Sequence, residues 1–138
     1  MFRLPLIKII AGVLLASASS RMIYAQTGMI ADTITMTNDS EYVPTEVSIK
    51  KGQIVVWKNT SDLIHTVTCD PGKAVKDENV SLPESASPFD SGRLDPQEAF
   101  SKQFNVPGTY IYFCIPHEML GMVGKIIVEE ESYYDKME

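Results

Sequence analysis

Proline and glycine interrupt this chain too often for long helices. Pro44, Gly52, Pro71-Gly72, Pro83, Pro88, Gly92, Pro96, Pro107-Gly108, Gly121 and Gly124 leave only short pieces between them. Proline removes a helix donor and glycine favours turns. No run of ten or more residues after position 25 shows helical periodicity. The pieces instead read as strands: Asp32–Thr37, Thr45–Lys50, Gln53–Asn59, Ile64–Thr68, Glu98–Asn105, Thr109–Cys114 and Met122–Glu129. Most are rich in β-branched or aromatic residues. About seven short strands with regular turns predict an all-β, antiparallel sandwich or barrel. At 138 residues the chain has room for one such domain.

Alternation within the runs assigns faces. Val47 and Ile49 share one face, with Glu46, Ser48 and Lys50 opposite. Phe100 and Phe104 also share a face. In Thr109–Cys114 both faces are apolar, which predicts a central strand covered on both sides. The stretch Asp70–Ser91 has no clear strand, and a short helical turn is expected near Lys73–Asp77.

The N-terminus reads as a secretory leader. Arg3 and Lys8 precede the uncharged, mostly apolar run Ile9–Ala18, which is well short of the ~20 residues a membrane span needs. Small residues allow cleavage after Ala18 or, preferred here, after Ala25; an uncleaved anchor is the competing reading. The expected organisation is a signal peptide over 1–25, one domain over 26–131 and an acidic tail over 132–138. The leader contains Arg3, Lys8 and Arg21 and no acid, so its removal takes the net charge from −6 to −9. Without clustered Lys and Arg, nucleic acid is excluded as a partner. An exported, acidic domain is expected in the periplasm, free of the membrane after cleavage and monomeric.

Chemistry concentrates in Cys114-Ile-Pro-His117-Glu-Met-Leu-Gly-Met122. A cysteine ends a strand, and a histidine and methionines follow within one tight loop. The chain's other histidine, His65, lies 49 residues upstream in a separate strand-like run. A thiolate, two imidazoles and a weak thioether make a trigonal site with a long axial bond, a set that suits copper in both oxidation states. Pro116 stiffens the turn, and Gly121 lets the backbone bring Met122 back toward the metal. No histidine is left over for a Ser/His/Asp arrangement or for the extra cluster of a multicopper oxidase.

The segment Phe89–Val128 resembles the C-terminal half of the small blue copper proteins, the plastocyanin, pseudoazurin and amicyanin group of cupredoxins. The matching frame is Gly108-Thr-Tyr, Tyr112-x-Cys114, Pro116-His117 and Gly121-Met122-Val-Gly124. Upstream, Val43-Pro44 to Trp57 and His65-Thr-Val67 resemble the family as well. The resemblance implies a Greek-key β-sandwich of about seven to eight strands and one type 1 copper held by His65, Cys114, His117 and Met122. It also implies a soluble one-electron carrier that cycles Cu(II)/Cu(I), with His117 near the surface as the electron exit. Redox partners would be cytochrome-type proteins or copper enzymes, met through an apolar patch around His117 and acidic charge. Met119 competes as axial donor, but lies only two residues past His117; the Gly121-Met122 match favours Met122. Two departures stand out. Thr66 follows the first histidine where many members have Asn, and Pro96-Gln97 replaces the usual Pro-Gly turn, expected to leave the metal untouched.

Other readings compete. Export permits a Cys69–Cys114 disulfide. However, Cys69 lies four residues past His65, about 13 Å of extended chain, whereas disulfide Cα atoms sit within about 7 Å. Cys69 is therefore expected as a free thiol at a strand end, open to intermolecular pairing. A copper chaperone or buffer, a nitrosocyanin-like catalytic copper protein and a metal-free sandwich are the functional alternatives; the expectation is a carrier and not an enzyme.

Overall fold

The computed structural model describes residues 29–132. The expected leader, residues 1–25, and residues 133–138 of the expected tail lie outside the described residues. Among the described residues nine strands form two sheets: β1 (Ile30–Met36), β2 (Tyr42–Val43), β3 (Glu46–Lys50), β4 (Ile54–Asn59), β5 (Thr68–Cys69), β6 (Phe89–Asp90), β7 (Ala99–Gln103), β8 (Gly108–Phe113) and β9 (Val123–Glu129). One sheet has the order β2-β1-β4-β7, the other β3-β9-β8-β5-β6. The remaining ordered elements are short 3-10 turns at Pro71–Lys73, Asp77–Asn79 and Ile115–Leu120. No helix among the described residues is long and apolar enough to cross a membrane.

Alternating burial joins the sheets. Ile34 and Met36 of β1, Val55 and Trp57 of β4, Val47 and Ile49 of β3, and Ile126 and Val128 of β9 all point inward. A period of two is what places such residues on one face. Trp57 is the hub, with the rings of Tyr112, Phe100 and Phe104 at 5.4, 5.8 and 6.2 Å. Each ring pair adds about 0.5–1.5 kcal/mol beyond the area it buries. Phe100 and Phe104 thus meet the same partner, as their spacing predicts. β8 is central between β9 and β5, and the Ser81 backbone bridges Ile111 along the side of β8 away from β9. Gly124 faces Tyr112 so closely that a Cβ there would lie 2.4 Å from the phenol oxygen.

Two expectations need correction. The sheets are mixed rather than antiparallel: β1 runs parallel to β4, and β3 parallel to β9. The chain passes from one sheet to the other between these strands, so partners far apart in sequence meet in the same direction. The run Ile64–Thr68 is also not a continuous strand. His65 makes a single bridge to Leu94, and the ladder resumes only at Thr68–Cys69. Between them the backbone donors are diverted: Thr66 N–H points to Cys114 Sγ at 3.3 Å and Val67 N–H to Ser91 Oγ at 2.8 Å.

Candidate metal centre

The ligand loop leaves β8 at Cys114 and coils as the 3-10 turn Ile115–Leu120, with Pro116 in its first turn. Gly121 ends it in the left-handed region at φ 84°, a conformation that favours glycine. The loop closes on itself through His117 N–H to Cys114 O (3.0 Å), Met122 N–H to His117 O (3.2 Å) and Cys114 N–H to Met122 O (3.1 Å). This geometry puts Cys114, His117 and Met122 at one end of the sandwich. His65 arrives from the neighbouring segment, held by the paired hydrogen bonds of its backbone with Leu94.

His65 Nδ1 lies 3.6 Å from Cys114 Sγ, and His117 Nδ1 lies 3.4 Å from it. The three donor atoms are all within 4.8 Å of one another. His65 and Cys114 are fully buried, whereas His117 is half-buried, with the imidazole centroids 4.9 Å apart.

Hydrogen bonding selects the tautomer of His65. Asn59 Nδ2 donates to Leu63 O (2.7 Å) and Leu94 O (3.1 Å), which turns Oδ1 toward Ser61. Ser61 Oγ then donates to Asn59 Oδ1 at 2.7 Å. Having spent its one proton, the hydroxyl accepts from His65 Nε2–H at 2.9 Å. The proton on Nε2 leaves the Nδ1 lone pair facing Cys114 Sγ, as a metal ligand requires. Burial, and then the neighbouring His117, hold the His65 pKa below its usual value against a raising hydrogen bond with the Thr37 backbone, which favours the neutral ring.

Thr66 takes over part of the tethering at the sulphur. Its hydroxyl accepts from Ile115 N–H at 2.9 Å and pairs with Thr68 Oγ1 at 2.9 Å, joining the two ligand segments. Burial pushes the Cys114 thiol pKa up, against the lowering effect of the Thr66 and His117 amides. A bound cation reverses that balance and stabilises the thiolate.

Met122 is 1% exposed and Met119 65% exposed. Cys69 is a free, fully buried thiol within 3.3 Å of the carbonyls of Ser81 and Ile111. Burial pushes its pKa up to about 12. Enclosure closes it to intermolecular pairing, contrary to the sequence expectation. At the Pro96-Gln97 turn, Gln97 N–H donates to Asn59 O at 2.9 Å, which ties the turn to the end of β4. Asn59 and Ser61 were missed in the sequence, where they read as an ordinary polar turn. Glu118 was missed too. Only its place inside the ligand loop could have singled it out. It is 3% exposed and accepts from Val75, Lys76 and Asn79. Burial raises its pKa, but these donors outweigh it and hold the carboxyl below the usual carboxylate range.

Two imidazole nitrogens and a thiol converging in a buried cleft fit copper by donor type and spacing. The comparisons agree. The family described as copper binding proteins, plastocyanin/azurin family, matches residues 30–129. Plastocyanin B, chloroplastic, of Populus nigra is 31% identical over 125 residues, covering 88% of this chain and 72% of that relative. Amicyanin-alpha of Methylorubrum extorquens is 37% identical over 84 residues, covering 61% of this chain and 60% of that one. Among solved structures, the Cu(I) form of an amicyanin variant is similar at a TM-score of 0.56 and 26% identity, covering 74% of this chain and 83% of that one. A purple cupredoxin from Nitrosopumilus maritimus shares the fold at a TM-score of 0.55 and 21% identity, over 71% of this chain and 99% of that one. With the fold, the donor set and the family match in agreement, this chain belongs to the plastocyanin/azurin family of copper-binding proteins.

Proposed function

We propose that the protein is a periplasmic one-electron carrier, with its copper held by His65, Cys114 and His117 and by Met122 as the axial donor. The observation that carries this reading is a preassembled set of donors, two of them buried and the third, His117, half-exposed. Copper bound there supplies a one-electron Cu(II)/Cu(I) couple. The Asn59–Ser61 pair fixes the lone pair of His65, and the Thr66 amide and hydroxyl hold the sulphur and the loop beside it. A scaffold that holds ligands in place before metal arrives lets both oxidation states use one geometry. Met122, the axial donor in this reading, is 1% exposed.

His117 is the exit for the electron. Leu63, Ile64, Ile115, Met119 and Leu120 are 37–73% exposed and flank the two histidines in sequence. They form an apolar docking face for redox proteins of cytochrome type or copper enzymes, and the acidic net charge favours basic partners. The plastocyanin and amicyanin relatives support a carrier rather than an enzyme.

Voltammetry of the copper-loaded chain tests the reading. A reversible one-electron wave, electron exchange with a basic cytochrome, and an electron paramagnetic resonance spectrum unchanged by azide are expected. An azide-sensitive spectrum would mean an open, catalytic position. Release of copper to an acceptor without electron exchange would mean a chaperone or buffer.

A further inference from the structure

The two imidazoles of the centre are not held alike. His65 is fully buried and its Nε2 is bound by Ser61. His117 is half-buried, and its Nε2 has no hydrogen-bond partner among the described residues. The loop carrying it is tied to the scaffold at its start, through Ile115 N–H to Thr66 Oγ1. Beyond that point its backbone hydrogen bonds return to the loop itself, through His117, Gly121 and Met122. One side chain past Ile115 does reach a separate element, and it belongs to the residue next to His117.

That side chain is Glu118. Its Oε1 accepts from Val75 N–H (3.0 Å), Lys76 N–H (2.9 Å) and Asn79 Nδ2 (3.1 Å), and its Oε2 accepts from Val75 N–H (2.9 Å). All three donor groups belong to the segment around the Asp77–Asn79 turn, about forty residues away in sequence. Each is an N–H, so an acceptor-only carboxylate is matched to the site. A side chain buried to 3% and bound in this way has essentially one position. Its Cα, and with it the neighbouring Cα of His117, is then fixed relative to the scaffold.

We propose that Glu118 is the positioning residue of the second imidazole: its anchored carboxylate sets where His117 Nδ1 stands relative to Cys114 Sγ. Ser61 does this for His65 by gripping the ring; Glu118 does it for His117 by gripping the backbone beside it. A ring left half-exposed for docking has no protein grip of its own at Nε2, and an anchor one residue away supplies the rigidity without covering the ring. The proposal rests on the copper-site reading for its use in electron transfer, though the anchor acts in the metal-free chain as well.

The test compares the full chain with Glu118→Gln and Glu118→Ala by imidazole NMR, first without metal. In Glu118→Ala the His117 ring signals are expected to broaden or split, while those of His65 stay single. Glu118→Gln, which keeps the Oε1 acceptor but loses the charge and sets an NH2 against the Val75 N–H, should show a smaller change of the same kind. After copper loading, Glu118→Ala, which loses all three donors, should release copper to a chelator at least tenfold faster, about the factor that a single charge-assisted hydrogen bond supports. Faster amide exchange at Val75 and Lys76 with unchanged His117 signals would overturn the proposal, since Glu118 would then clamp only the Val75–Asn79 segment. If Glu118→Ala does not fold, Glu118→Gln decides: a perturbed His117 beside an intact His65 supports the proposal, and two unchanged rings overturn it. The metal-free result stands by itself. Failure of the wild-type chain to bind copper would refute the carrier reading and leave the anchor standing.

Discussion

Replacing Ser61 by alanine probes the tautomer argument directly. Ser61 is 1% exposed, and its hydroxyl joins Asn59 Oδ1, His65 Nε2 and Leu63 N–H at 2.7, 2.9 and 3.1 Å. Alanine removes the Ser61 acceptor of the His65 N–H, leaves it only the Thr37 carbonyl, and takes one donor from Asn59, which keeps the Ser61 backbone N–H at 3.0 Å. Leu63 is part-exposed, so water satisfies its amide. With that carbonyl left to His65, the lost Ser61 contacts to the imidazole and to Asn59 cost about 1–2 kcal/mol together. For a domain of this size that lowers the metal-free melting temperature by roughly 5–10 °C. The loss of tautomer control acts separately on copper. With its Ser61 acceptor gone, the proton is held at Nε2 less strongly and can sit on Nδ1, where it blocks the lone pair. Groups in this position typically change metal affinity by about 10–100-fold. Urea unfolding of the metal-free protein and competitive copper titration measure the two effects. A full loss of stability with unchanged copper affinity would refute the claim that Ser61 sets the tautomer.

Met122→Leu should keep the fold within about 1.5 kcal/mol, as volume-conserving swaps do, and raise the reduction potential measured by voltammetry; Met119→Leu, at an exposed position, should leave the potential unchanged. Gly124→Ala would drive a methyl into Tyr112 at 2.4 Å, and overpacking of this kind costs about 1–3 kcal/mol or more in denaturant unfolding. Asp90 contributes an acid-side stability effect. Burial raises its pKa, but Lys73, Gly92 and Thr68 together lower it below its usual value. A depressed carboxylate stabilises the fold above the unfolded pKa of about 4 and loses that contribution as pH falls through its folded value. The urea midpoint of the wild type should therefore fall below about pH 5 more steeply than that of Asp90→Asn.

The sandwich was legible because β-branched and aromatic runs recur between turns, and in β3 the apolar Val47 and Ile49 that alternate with polar residues in the sequence are the ones the fold buries. Strand direction was not legible. Turns and apolar runs say where strands lie, but β1 and β4 become parallel only because the chain visits the other sheet between them. The loop carrying Cys114 and His117 was readable since its residues are close in sequence and their types are uncommon together. The polar groups behind it were not. Asn59, Ser61 and Glu118 are ordinary surface residue types, and their burial comes from contacts with segments 35 to 43 residues away or with a neighbouring turn. The Ile64–Thr68 strand was overread for a related reason: its apolar and β-branched residues fit a strand, yet its amides serve the sulphur and Ser91 instead.

The visible absorption spectrum of the copper-loaded chain, recorded before and after ascorbate beside Cys114→Ser, tests the central claim most directly. An intense blue charge-transfer band that bleaches on reduction, returns in air and is absent from Cys114→Ser is the predicted result. A colourless wild-type protein, or a band that survives the loss of Cys114, would contradict the claim that this thiolate holds the copper.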